Sequence, residues 1–231
     1  GLGASGASAD TPPIRGLKEV GNQQVKLQGG FWGPRLKTAS EVTIPHSLDH
    51  LEKDGHITNF DKAAGLIEGM PSGHGAFDSD LYKALEGEMY CMENKPDKAL
   101  AKRVDAILDR IIAAQQKDGF LIAYFILKEK EYRWDRLRTM HQMYNAGHYF
   151  EMAVEHHKLT GEKKVLESAR RFADHIDGIF GENKRYDVDG HQEVELALIK
   201  LYRHTGEKRY FDLAKFFLDE RGHAHGTERK P

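Results

Sequence analysis

Thr160-Gly161-Glu162-Lys163-Lys164 recurs as Thr205-Gly206-Glu207-Lys208-Arg209, 45 residues later. Each copy closes one kind of helical segment and opens another, with Gly as the stop signal and Glu as the start. The segments before the copies, Gln142 to Leu159 and Gln192 to His204, are apolar nearly all round, as in Val194, Leu196, Leu198, Ile199 and Leu201. Those after them, Glu162 to Ile176 and Glu207 to Arg221, keep their apolar residues at spacings of three and four and leave a charged outer face. Asn94-Lys95-Pro96-Asp97 does the same work earlier, joining Leu81 to Met92 with the amphipathic Asp97 to Gln116. The chain therefore reads as all-α: three consecutive αα-hairpins, each an inner helix followed by an outer one. In front stand a helical stretch from Arg35 to Lys53, interrupted by Pro45, and a Gly- and His-rich loop from Gly55 to Gly75. A helix without a polar face must be covered on all sides, which favours a closed ring of hairpins over an open solenoid. Three hairpins make roughly the first half of an (α/α)6 barrel.

Composition narrows the class. The 231 residues are 39% hydrophobic and 30% charged, as in an ordinary globular chain. Lys plus Arg is 34 and Asp plus Glu is 36, so a net charge of -2 gives no reason to expect nucleic acid as a partner. The apolar run from Phe120 to Leu127 is far shorter than the ~18 residues of a membrane helix, so no membrane partner is expected. The single cysteine, Cys91, sits mid-helix between Tyr90 and Met92 and reads as buried and inert; it excludes an internal disulfide and a multi-thiolate metal site within this chain. Residues 1–24 read as a flexible N-terminal segment. Within it Ala7-Ser8-Ala9 has the small-x-small form of a signal-peptidase site, which would place the protein in the periplasm or outside the cell; a linker is the other reading. Residues 223–231 read as a truncated tail, whose His223 and His225 form a weak metal signal.

Polar residues ill suited to a core gather just before each inner helix: Phe77-Asp78-Ser79-Asp80, Met140-His141-Gln142 and Asp189-Gly190-His191-Gln192. In a ring of parallel inner helices these segments meet at one pole, a pocket suited to a neutral, hydroxyl-rich ligand. Helix capping accounts for Asp78 and Ser79, but poorly for histidines at equivalent places, so His141 and His191 are the leading candidates. His148 shares a face with His141 and reads as a core histidine. His156, His157, His175 and His204 read as solvated. The return from Gln115 to Leu121 is expected to carry aromatic residues towards the pocket.

An ordered set of motifs then stands out: Phe31-Trp32-Gly33-Pro34-Arg35, FDSDLYKALEG at 77–87, AQQKDGFL at 114–121, HQMYNAGHYFEMAVEHHKLTG at 141–161 and DGHQEVELALIKLYRHTGEKRYFDLAKFFLDERG at 189–222. From about residue 25 to residue 222 the chain resembles the β-L-arabinofuranosidases of glycoside hydrolase family 127. The resemblance implies a catalytic (α/α)6 barrel over residues 25–222 and removal of terminal β-linked L-arabinofuranose, with retention, from an arabinose-containing oligosaccharide or glycan. It implies Zn2+ in the full-length protein, holding a nucleophilic cysteine, with a glutamate as acid/base. None of those groups is expected in this chain, so no catalytic residue or metal ligand is assigned here, and the chain alone is expected to be inactive. On the motifs, His141 (HQMY) and His191 (GHQEVE) correspond to sugar-binding histidines. Asn59, in His56-Ile57-Thr58-Asn59-Phe60, falls where a polar sugar contact is placed, and Asp80 joins the substrate-binding set. Two other readings remain: a metal-independent (α/α) barrel such as a sugar epimerase or uronyl hydrolase, and a non-catalytic helical-repeat scaffold. A downstream glutamate followed by paired cysteines would favour the first reading.

Overall fold

A computed structural model describes residues 20–223. The Ala7-Ser8-Ala9 motif, His225 and most of the two terminal segments therefore lie outside the described residues.

The repeated pentapeptide builds the same turn twice. Helix α8 (Gln142–Thr160) ends at Gly161, at φ 74°, and α10 (Glu193–Thr205) ends at Gly206, at φ 76°. This left-handed backbone favours glycine. In both turns the threonine hydroxyl donates to a carbonyl of the preceding helix, that of His156 or Leu201, and accepts from the N–H of Glu162 or Glu207. The outer helices α9 (Lys164–Ile179) and α11 (Lys208–Glu220) follow. In the first hairpin, α4 (Phe77–Asn94) passes to α5 (Lys98–Ala113), whose start Asp97 caps by accepting from the N–H groups of Ala99 and Leu100. The inner helices lie in the order α4, α8, α10, with α9 behind α8 and α11 behind α10, while α5 packs against α9 and the His56–Ala63 helix. Between the layers, buried Tyr82, Leu85, Ile111, Tyr149, Phe150 and Phe172 fill the core. Among the described residues the only strand-like pairing is one bridge between Phe180 and Arg185, and no helix is long and apolar enough to cross a membrane.

Four expectations change. The N-terminal helical stretch starts earlier, as α1 (Trp32–Thr38), widens into a π-turn over Ala39–Thr43 and continues as α2 (Ile44–Lys53). The wider turn precedes Pro45, whose ring would crowd an α-helical carbonyl four residues back. The stretch read as a loop from Gly55 contains α3 (His56–Ala63), with Ile57 and Phe60 fully buried; tertiary burial, not local propensity, forms it. The inner helices are not apolar all round, because α8 carries a stripe of Tyr144, His148, Glu151 and Glu155, the last two buried. Finally, the return after α5 runs into α6 (Ala123–Leu127), followed by the single turn α7 (Leu137–Met140), and the return's one aromatic residue, Phe120, is buried in the core against Trp134 and Phe172.

Helices α8 and α10 pack closely at Gly147. A Cβ there would stand 2.7 Å from Glu193 Cγ and 3.1 Å from the Val194 nitrogen. Gly147→Ala is expected to push these helices apart and to lower stability by about 1–3 kcal/mol, read as a fall in the thermal unfolding midpoint.

Candidate functional site

Three buried side chains fasten the starts of the inner helices to their neighbours. Asp189 accepts from Met143 N (2.9 Å) through Oδ2 and from His191 N (3.1 Å) through Oδ1, tying the segment before α10 to the start of α8. Asn145 on α8 accepts from Ser79 N (2.9 Å) on α4 and donates to the carbonyl of His141 (2.9 Å). Asp78 accepts from Ala123 N at 2.7 Å, fastening α4 to the start of α6. Capping is therefore not the role of Asp78 and Ser79: α4 is preceded by Ala76, no side chain caps it, and the Ser79 hydroxyl donates back to the Ala76 carbonyl. Gly190 lets the turn close, since a Cβ would fall 2.2 Å from the Arg138 carbonyl oxygen.

These ties bring the two candidate histidines face to face. The rings of His141 and His191 lie 4.7 Å apart, centroid to centroid, tilted by 35°. Tyr144 stands beside both, 5.7 Å from His141 and 5.1 Å from His191. His141 caps α8 in left-handed backbone at φ 57°, and its Nδ1 lies 2.9 Å from the Thr139 carbonyl oxygen. A carbonyl can only accept, so Nδ1 carries a proton. Asp80 joins the pole through Lys83: Lys83 Nζ is 3.1 Å from Asp80 Oδ1 and donates to the Tyr144 hydroxyl at 3.3 Å. On its other side Asp80 lies 3.6 Å from His56 Nε2, and the His56 ring stacks on Phe77. Asn59 is placed differently. Its buried amide donates to the Ser72 carbonyl (3.0 Å) and accepts from Ser72 N (2.8 Å), so it holds the loop leading into α4.

Below the pole, His148 Nδ1 lies 3.4 Å from Glu193 Oε1 and 3.8 Å from Glu151 Oε2. Burial pushes the His148 ring down to about 4, with the Lys83 charge adding to it, so the imidazole is neutral. Burial and the neighbouring Glu151 carboxylate raise Glu193; Glu151, although burial opposes it, is held below the usual range by its bonds to Glu193 and Lys200. Tyr144, Lys83 and Glu151 escaped sequence reasoning, which read His148 as a core histidine and did not join it to Glu193. The signal was present as Tyr144, His148, Glu151 and Glu155, polar groups at helical spacing on an otherwise apolar helix.

The remaining histidines are not solvated as expected. His156 is buried, His157 Nδ1 and His204 Nε2 lie 2.8 Å apart, and His175 Nε2 accepts from the Trp134 indole N–H. Position along a helix says nothing of the helix packed behind it. The thiolate–zinc centre implied by the resemblance calls for several cysteines, and the chain has one. Cys91 is buried mid-helix, and burial and Glu88 push its thiol up.

The family model described as "Beta-L-arabinofuranosidase, GH127 catalytic domain" matches residues 24–230. The chain belongs to glycoside hydrolase family 127. A non-reducing end β-L-arabinofuranosidase of Bifidobacterium longum subsp. longum is 40% identical over 223 residues, which cover 86% of this chain and 34% of that protein. The crystal structure of a GH127 β-L-arabinofuranosidase from Geobacillus stearothermophilus T6 superposes with a TM-score of 0.82 at 38% identity, over 85% of this chain and 32% of the other. A second GH127 β-arabinofuranosidase structure gives 0.83 at 38% identity, over 91% of this chain and 34% of the other. This GH127 chain thus spans about a third of the length of these relatives, and its helical hairpins share their fold.

Burial raises Asp78 to about 7, and the bond from Ala123 only partly offsets it. A carboxyl raised in the folded state binds more protons there than when unfolded. Its contribution is therefore present at low pH and is lost as pH rises from the unfolded value near 3.8 through about 7. Asp78→Asn keeps the acceptor and removes the titration. Its stability relative to wild type is expected to climb across that window by on the order of 2–4 kcal/mol, measured by denaturant unfolding at several pH values.

Proposed function

We propose that this GH127 domain binds the terminal sugar of β-L-arabinofuranosides in an enzyme that hydrolyses arabinose-containing oligosaccharides with retention. The observation that carries the reading is the meeting of His141 and His191 at 4.7 Å, on the starts of adjacent inner helices and beside Tyr144. Two imidazoles and a phenol offer both acceptors and donors to sugar hydroxyls. Asp80 and Lys83 offset each other at the rim, so the pole is polar but nearly balanced, as a neutral ligand requires. The names of the relatives supply the sugar: non-reducing end β-L-arabinofuranosidase and GH127 β-L-arabinofuranosidase.

In this reading His141 Nε2 accepts from a sugar hydroxyl, its ring fixed by the Nδ1–H bond to Thr139. His191 closes over the same hydroxyl cluster, and Asn59 acts indirectly by holding the Ser72 loop. The described residues bind and orient. Cys91 serves neither as nucleophile nor as metal ligand, and a zinc-bound thiolate would have to come from elsewhere in the enzyme.

In the complete enzyme, His141→Ala and His191→Ala are each expected to lower kcat/KM for a β-L-arabinofuranoside by about 2–4 kcal/mol, roughly 30- to 1,000-fold, as for a lost buried hydrogen bond to a substrate hydroxyl. Unchanged kinetics in both variants would remove the pole from the reaction.

A further inference from the structure

At the other end of α8 from His141, roughly 20 Å along the helix, His156 is 1% exposed, and neither ring nitrogen has a hydrogen-bond partner among the described residues. An unsatisfied buried polar group costs about 1–3 kcal/mol, so this ring calls for an explanation. The fold itself does not require it. The equivalent position in the next repeat of the Thr-Gly-Glu turn is Leu201, fully buried among apolar neighbours.

What surrounds His156 is acidic. Its Nε2 lies 3.8 Å from Asp105 Oδ1 on α5, and Glu162 approaches from the turn between α8 and α9. One ligand atom from each of the three residues lies within 4.8 Å of the others. The neighbouring cation is already engaged, Lys164 Nζ donating to Asp109 at 2.8 Å. Burial lowers the His156 pKa, which leaves a ring nitrogen with a free lone pair at neutral pH.

We propose that Asp105, His156 and Glu162 form a binding site for a divalent first-row transition-metal cation, with one imidazole and two carboxylate ligands and water completing the shell. The imidazole disfavours Mg2+ and Ca2+, and the absence of a thiolate from the set distinguishes it from a cysteine-based zinc centre. Metal–ligand distances of about 2.0–2.2 Å require the three atoms to close to roughly 3–3.5 Å from one another. Rotation of the exposed Glu162 and half-exposed Asp105 side chains supplies that movement, and the same exposure gives the ion a route in. The bound cation joins the outer helix of the first hairpin to the turn of the second.

The test is a titration of the 231-residue chain with Co2+, read by visible absorption and by calorimetry, with Zn2+ and Mg2+ in parallel. The expected result is one equivalent of Co2+ or Zn2+ bound, no Mg2+, and a higher unfolding midpoint with metal present. Glu162→Gln changes an exposed side chain, leaves the fold intact and is expected to weaken binding at least tenfold. His156→Leu, copying the next repeat, is expected to abolish saturable binding, a larger loss than the roughly 10–100-fold typical of residues that only support a ligand. Absence of saturable binding overturns the proposal, as does binding that survives both substitutions. Loss in His148→Gln with retention in His156→Leu would place the ion at His148, Glu151 and Glu193 and overturn it equally.

Discussion

The arrangement of the candidate site depends on buried side chains that hydrogen-bond to backbone N–H groups across helix boundaries. The first N–H groups of a helix have no partner within it, and where that end is buried something else must accept from them. Here Asp189 accepts from Met143 N and Asn145 from Ser79 N, so the starts of α8 and α4 are each satisfied by a neighbour. The neighbours are thereby locked in register. Because those helix starts carry His141 and the Tyr144 stripe, the same bonds that satisfy the backbone set the spacing between the rings.

Much of the architecture was legible because its signals are local. The Thr-Gly-Glu turn is written in hydrogen bonds between residues two and four apart, so two copies in sequence mean two copies in space. Asp97 at the head of α5 is equally local. Helix α3 was not legible, since His56-Ile57-Thr58-Asn59 has weak helical propensity and forms a helix because Ile57 and Phe60 bury against other elements.

The site divides along the same line. That His141 and His191 share a pole follows from equivalent positions in successive hairpins, whereas their approach to within 4.7 Å depends on Gly190 passing against the Arg138 carbonyl. Motif comparison set Asn59 among the sugar contacts, yet its amide is taken by Ser72, a contact that motif comparison does not contain. His156 was misread for a related reason: whether a residue near the end of a helix meets water depends on α5 behind it, not on its neighbours in the chain.

The backbone of His141, at φ 57°, lies where a residue with a Cβ is disfavoured and glycine is at ease. Holding histidine there costs about 1 kcal/mol, which the surrounding contacts offset. Selection for folding alone would drift this position towards glycine or asparagine, and the drift would leave the helix ring intact while emptying the pole. Under the role proposed for His141, robustness and recognition are opposed at a single residue, and a thermostabilised version of this domain chosen without a ligand present is expected to lose His141 early.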